Sequence, residues 1–288
     1  MGITEIQRQD RKNHLGSSDM PAIMGYSRFG NSYDVWLQKT GRVQPKEKTQ
    51  DYIQAGNLFE APVIQWLSEY LRTKIDCFAL SMEREIEGTP IVVHPDGFVV
   101  DTGDPVEVKT EGLYGPIIEP WGDVGTDEVP GYTMIQTQCH MMALEKEICH
   151  IPTFLGGRGF GYFFTRRDER LQEIIRQQAI KFWEEHVLKD VPPENCAPTL
   201  AMAKQIRHVE GEPKALADGL IQNWLDAKEL AKVHTNEAEY YQAEILATLD
   251  GVEMGTCGLG DITNFEQERT GYEVKPTSFR VLRLKKRK

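Results

Sequence analysis

Two segments, Ile91-Val92-Val93-His94-Pro95-Asp96-Gly97-Phe98-Val99-Val100 and, past the turn Gly103-Asp104-Pro105, Val106-Glu107-Val108-Lys109-Thr110, decide how this chain folds. Ile91 to Val93 is a β-branched run, Pro95-Asp96-Gly97 reads as a turn, and Phe98 to Val100 resumes strand character. The chain then turns into a strand from Val106 to Thr110, so the whole predicts a hairpin. Side chains alternate faces along a strand, which puts Glu107 and Lys109 on one side and Val106 and Val108 on the apolar other. Asp96 ends the preceding strand, where twist and a short turn bring its carboxylate beside Glu107.

Two carboxylates and one amine held this way suit hydrolysis of a phosphodiester, which needs a deprotonated water, shielding of the phosphate and relief of charge on the leaving oxygen. A cation between Asp96 and Glu107 supplies much of all three, and hard oxygen donors favour Mg²⁺, with Mn²⁺ able to substitute. A second ion about 3.5–4 Å away would clamp the leaving side. Lys109 brings a positive charge to the nucleophilic water or the phosphate, an electrostatic and positioning role.

A Glu-x-Lys pair on a strand is by itself commonly a solvated face with an ion pair. Its neighbours give it weight. Ala61 to Leu71 predicts a helix, with Phe59, Val63, Trp66, Leu67 and Tyr70 at helical spacing and Pro62 in the first turn. Glu60 then stands at the helix start, as a cap or a third acidic ligand. Gly131 to Gln138 opens another helix with Ile135, Cys139, Met142 and Ala143 on one side and Gln136 with His140 on a different face.

These pieces resemble the YqaJ-type viral recombinase and lambda exonuclease family, a branch of the PD-(D/E)XK nucleases. The order is an N-terminal arginine, here Arg11, then Gly16-Ser17-Ser18-Asp19, Gly56 with Glu60, Pro95-Asp96-Gly97, Glu107-Val108-Lys109, and Tyr132 with Gln136-Thr137-Gln138. The likeness spans Arg11 to Val187. It implies that Asp96, Glu107 and the Val108 carbonyl are metal ligands, that Lys109 is the catalytic lysine, and that Glu60 and Gln136 flank them. It further implies that Arg11 and Ser18 hold a terminal 5′ phosphate. One departure stands out: His94 occupies the position before Pro95 where the lambda-like pattern has serine, which leaves two equal readings, an imidazole that donates to phosphate in either protonation state or a structural residue beside the turn with the phosphate pocket altered or absent.

The chain has 288 residues, 40% of them hydrophobic, and a formal net charge of −11. That length allows one large domain with an appendage. The acidic balance gives no general attraction to nucleic acid, but recognition needs basic side chains on one surface rather than a basic whole. Arg166, Arg167 and Arg170, and the tail from Arg280 to Lys288, are the basic clusters; a solvated helix or strand end is the plain reading of the first. Cys77, Cys139, Cys149, Cys196 and Cys257 are scattered with no C-x-x-C pair, against zinc ribbons, disulfide scaffolds and iron-sulfur staples. No apolar run is long enough to span a bilayer and the N-terminus is polar, so the expectation is a cytoplasmic protein with no membrane partner.

Elsewhere, Ser17-Ser18-Asp19 predicts a cap on a short helix through Met24, and Ser32 a cap on a helix carrying Val35, Trp36 and Leu37 that ends at Gly41. Glu111 to Gly131 is a long loop, a gate over the site or a packed surface segment. Ile151 to Leu155 and Phe160 to Thr165 predict paired strands, and Leu171 to Val187 the last core helix. Val191-Pro192-Pro193 marks a boundary. The expected organisation is a nuclease core over 1–192, a helical arm over 193–250, and a small basic β-rich element over 251–288 with strands at Gly271 to Val274 and Phe279 to Leu284. The arm and β element read equally as extra DNA contact, a docking site for a recombination partner, or an oligomer or packing element.

The fold expected is α/β, a restriction-endonuclease-like core with a mixed central sheet flanked by helices. The activity implied by the resemblance is Mg²⁺-dependent degradation of duplex DNA from a 5′ end, exposing a strand for a single-strand annealing protein, with closure into a homo-oligomeric ring. Two alternatives stay open: a structure-specific or nicking endonuclease with the same centre, and a non-catalytic DNA-binding assembly protein.

Overall fold

The structure, a computed structural model, describes residues 13–43, 51–77, 84–112, 117, 120–207 and 214–266. Arg11, the basic tail 280–288 and the two strands expected within 271–284 lie outside the described residues. Two compact units are present, Met1–His208 and Val209–Lys288.

In the first unit the chain runs through β1 (Leu15–Gly16), α1 (Met20–Ile23), α2 (Ser32–Lys39), α3 (Asp51–Leu71), β2 (Ile75–Asp76), β3 (Arg84–Glu85), β4 (Ile91–Val93), β5 (Gly97–Val99), β6 (Pro105–Val106) and β7 (Lys109–Glu111). It continues with α4 (Gly131–Leu144), β8 (Ile148–Leu155), β9 (Gly159–Arg166), α5 (Glu169–Phe182), a π-helical turn at Trp183–Val187, and α6 (Leu200–Ala203). The expected α/β class with a mixed sheet is what the molecule shows. A six-stranded sheet runs β2-β5-β6-β8-β7 with β9 on the other side of β8, and a three-stranded sheet runs β1-β4-β3. β8 is parallel to β6 and β7 and antiparallel to β9.

The stretch 91–110 is therefore not one hairpin. β4 pairs with β1 and β3 in the smaller sheet, and only β5 and β6 form the antiparallel hairpin in the larger one. The strand expected from Val106 to Thr110 is also split. Val106 lies opposite His150 and Lys109 opposite Thr153, so β6 and β7 keep one register along β8 with Glu107 and Val108 between them. Glu107 N still donates to His150 O at 2.9 Å. The next donor on β8 would be Pro152, which has no N–H, so the ladder lapses there.

Helices cover both faces. Leu15, Met20, Trp36, Ile91, Val93, Ile135, Cys139, Ile175 and Phe182 form one core between α1, α2, α4, α5 and the small sheet. On the other face, Ile64 and Leu67 of α3 pack on Ile75, Val99 and Val106. Trp121, Ile151, Leu155 and Phe163 form a third cluster, with Ile117 and Val129 against it, so the 111–131 segment is anchored through Ile117, Trp121 and Val129. Fully burying one such aliphatic or aromatic side chain is worth about 1.5–3 kcal/mol.

Three local expectations are corrected. α3 begins at Asp51, so Glu60 and Pro62 lie inside the helix rather than at its start. Asn31, not Ser32, caps α2, through a capping box with Asp34. Asp19 precedes α1 without a side-chain capping bond; its carboxylate accepts from Gly16 N at 2.8 Å and pairs with Lys39 Nζ at 2.7 Å.

Residues 193–208, expected to open the arm, belong to the first unit. Asn31 Nδ2 donates to Ala197 O at 2.8 Å, Thr199 N donates to Asp34 Oδ1 at 2.9 Å, and Val43 bridges Ile206. The second unit holds one long helix, α7 (Asp218–Leu249), which buries no residue, and an antiparallel hairpin of β10 (Met254–Cys257) and β11 (Gly260–Thr263).

Candidate active site

Glu107 N faces β8, so by alternation Val108 N faces the opposite edge of the strand, where it donates to Asp96 Oδ2 at 2.7 Å, while Asp96 N donates to Val106 O at 2.8 Å. The Asp96 turn is thereby tied to both sides of the gap. A residue in extended chain turns its N–H and C=O to the same edge, so the Val108 carbonyl faces the Asp96 side.

Glu107 is 4% exposed and accepts from three side chains. Lys109 Nζ donates to Glu107 Oε1 at 2.6 Å and to Gln136 Oε1 at 2.8 Å, while Gln136 Nε2 donates to the same Glu107 oxygen at 2.7 Å. His140 Nε2 lies 2.9 Å from Glu107 Oε2. Gln136 and His140 are one turn apart on α4, so a single helix face supplies both partners.

The two acids are electrically unlike. Burial pushes Asp96 well above the usual carboxylate range, and the charges of Glu107 and then Glu60 add to the push against the Val108 N–H and Lys109. Burial would raise Glu107 too, but the Lys109 ammonium and the His140 hydrogen bond and charge outweigh it and hold Glu107 at about 2. Glu107 is thus an anion matched by its neighbours, whereas the Val108 N–H and Lys109 only partly offset the push on Asp96.

A second group lies beyond Lys109. Glu111 shares the face of Glu107 and Lys109, is buried, accepts from the Tyr132 hydroxyl and pairs with Arg28 Nη2 at 3.4 Å. The Lys109 ammonium stands 6.0 Å from the centre of the Tyr132 ring.

The structure brings Asp96, Glu107, Val108, Lys109 and Gln136 together, with Glu60 within electrostatic reach. Ser18 is exposed and His94 half-buried. Ser17 N donates to Val92 O at 3.1 Å, which lays this segment beside the end of β4. The sequence reading placed His140 on the face of Gln136 without giving it a role, and passed over Glu111 and Arg28. Period-two alternation continued from Lys109 marks Glu111.

Among the described residues no group of three or more His, Cys, Asp or Glu could hold a metal ion. The donors present are two carboxylates and a backbone carbonyl. That set fits Mg²⁺, which typically takes one or two carboxylates and fills its shell with water and substrate phosphate. The upward push on Asp96 is the mark of a donor pair that a cation would relieve.

The mixed α/β fold is one shared with solved exonucleases. The alkaline exonuclease LHK-Exo of Laribacter hongkongensis, solved alone and with dAMP, superposes with a TM-score of 0.50 at 14% identity, covering 65% of this chain and 94% of its own. At that identity the likeness is one of fold. Residues 8–147 match the family model described as YqaJ-like viral recombinase domain. The chain is also 24% identical over 258 residues to the uncharacterized protein YqaJ of Bacillus subtilis (strain 168), covering 86% of this chain and 79% of that protein.

Proposed function

We propose that this chain is a Mg²⁺-dependent deoxyribonuclease that degrades duplex DNA from an end. The observation that carries the reading is the closed set Glu107–Lys109–Gln136 beside a half-buried Asp96 whose carboxylate accepts from Val108 N. Asp96, Glu107 and the Val108 carbonyl would hold the cation. When bound, it supplies the charge that lowers the pKa of a water and shields the phosphate. Lys109, fixed between Glu107 and Gln136, points a positive charge at the non-bridging oxygens and the attacking water. Gln136 keeps the amine from folding onto Glu107 alone. His140 fixes the far oxygen of Glu107, so the carboxylate presents one orientation.

Attack from a 5′ end rests on the family resemblance alone; Ser17, next to Ser18, donates its N–H to Val92 O, two residues before His94. The single strand left behind would go to an annealing protein, and several copies of this chain would close into a ring. Digestion of a linear duplex labelled separately at each end, with 5′-phosphate and 5′-hydroxyl forms compared, tests the polarity. Release from the 5′-phosphorylated end first supports it, and equal release from both ends refutes it. Cleavage of covalently closed circular DNA would favour the endonuclease alternative.

A further inference from the structure

The outer face of β9 carries a row of rings that the site above does not use. Phe160, Tyr162 and Phe164 alternate along the strand and so stand on one face, with exposed Arg158 in the turn before them and exposed Arg166 after them. Two rings of α3 join the row. Trp66 stacks on Phe160 with centroids 5.4 Å apart and planes 11° apart, and Tyr70 lies 5.2 Å from both Trp66 and Tyr162. Tyr162 stacks with Phe164 at 6.2 Å, and the Arg166 guanidinium sits 5.1 Å over Phe164. Tyr70 is 51% and Phe160 42% exposed, so the rings are not merely the seam between helix and sheet.

The row also reaches the catalytic region. Phe59 stacks on Phe154 at 5.0 Å, and Phe154 meets Phe160 at 5.3 Å. Phe59 precedes Glu60, whose charge acts on Asp96.

We propose that this row, between Arg158 and Arg166, is a stacking track for single-stranded DNA. Tyr70 and Phe160 keep about half their surface exposed at the rim of the stack, where unpaired bases can meet them, whereas bases in a duplex are already stacked on each other. The two guanidinium groups answer the phosphates that such a strand carries at each nucleotide. Aromatic rings with a cation at either end select a nucleic acid over an apolar protein segment, which would leave both arginines without a counter-charge. Asp104, 3.7 Å from His150 Nε2 behind Tyr162, is an acid on this flank and gives the strand a side to avoid. The proposal rests on the nuclease reading for the origin of the strand, which is released beside Glu60 and led along α3 and β9.

The test is fluorescence anisotropy of a labelled oligodeoxythymidylate with the full chain in EDTA, where no cleavage enters. Wild type should bind the oligonucleotide. The Tyr70→Ala/Phe160→Ala double variant, with both positions exposed and its fold checked by circular dichroism, should bind about tenfold or more weakly, since each base–ring stack contributes on that order. Its affinity for a blunt duplex should change far less. Arg166→Gln should weaken the oligonucleotide and flatten its salt dependence. Failure of wild type to bind, or equal binding by the double variant, overturns the track. A fall in oligomeric mass on making the double variant also overturns it, by showing that the face joins copies of the chain. A protein that binds through these rings yet never cuts DNA would keep the track and sink the nuclease reading.

Discussion

His140 Nε2 lies 2.9 Å from Glu107 Oε2, and the imidazole is wholly buried. With Lys109 and Gln136 on the other oxygen, it completes the shell that keeps Glu107 ionised. His140→Ala leaves that oxygen buried without its partner, which costs about 1–3 kcal/mol of stability. Loss of a group orienting a metal ligand typically lowers metal affinity or activity about 10–100-fold. Thermal melts and Mg²⁺ titrations of cleavage rate read the two effects separately; a variant equal to wild type in both removes His140 from the account.

Asp96 is the opposite case. Its burial beside Glu107 favours the neutral acid, so Asp96→Asn keeps an acceptor for Val108 N–H and removes the repulsion. The metal-free variant should melt about 2–4 °C above wild type, the shift that ~1 kcal/mol produces in a unit of this size. Cleavage should be lost. A lower melting temperature in EDTA would show that the pair is not in conflict.

The pH dependence follows in sign. Because folding raises the Asp96 pKa, its contribution to stability is full below the unfolded value of about 3.9 and is lost as pH climbs through the raised value. Glu107 acts the other way: its contribution is present above the unfolded value and is lost as pH falls through about 2. Cation binding must displace the Asp96 proton, so Mg²⁺ affinity should increase with pH over the Asp96 range. Melting curves across pH with EDTA and with Mg²⁺ should diverge upward; parallel curves would contradict a cation held by Asp96.

Tyr132 and Glu111 brace the far side of Lys109. Tyr132→Phe removes a hydroxyl donor from a buried carboxylate and leaves it to Arg28, a loss of about 1–3 kcal/mol. Chemical denaturation measures it, and cleavage should suffer less than on removing Lys109.

The local parts of this site were legible because they depend on short-range rules. Glu107 and Lys109 share a face by alternation, and Gln136 and His140 by the helical repeat. What was hidden depends on partners distant in sequence. The strand break at Glu107-Val108 is imposed by Pro152 across the sheet, and β4 leaves its presumed hairpin to pair with β1. α3 starts well before Glu60, and at Gly56 it passes close to Thr110 of β7, a neighbour no helix propensity encodes. The boundary at Pro192 failed likewise, since Ala197 and Thr199 return to Asn31 and Asp34.

Lys109 tests the central claim most directly. Its ammonium bridges Glu107 and Gln136, so Lys109→Ala costs some stability at the buried Glu107, which keeps Gln136 and His140, and circular dichroism confirms the fold before activity is read. Linear end-labelled duplex should be degraded by wild type in Mg²⁺ and not in EDTA, and Lys109→Ala should release no nucleotide in either. Hydrolysis by Lys109→Ala at the wild-type rate, or hydrolysis by wild type in EDTA, would contradict a metal-dependent nuclease centred on Asp96, Glu107 and Lys109.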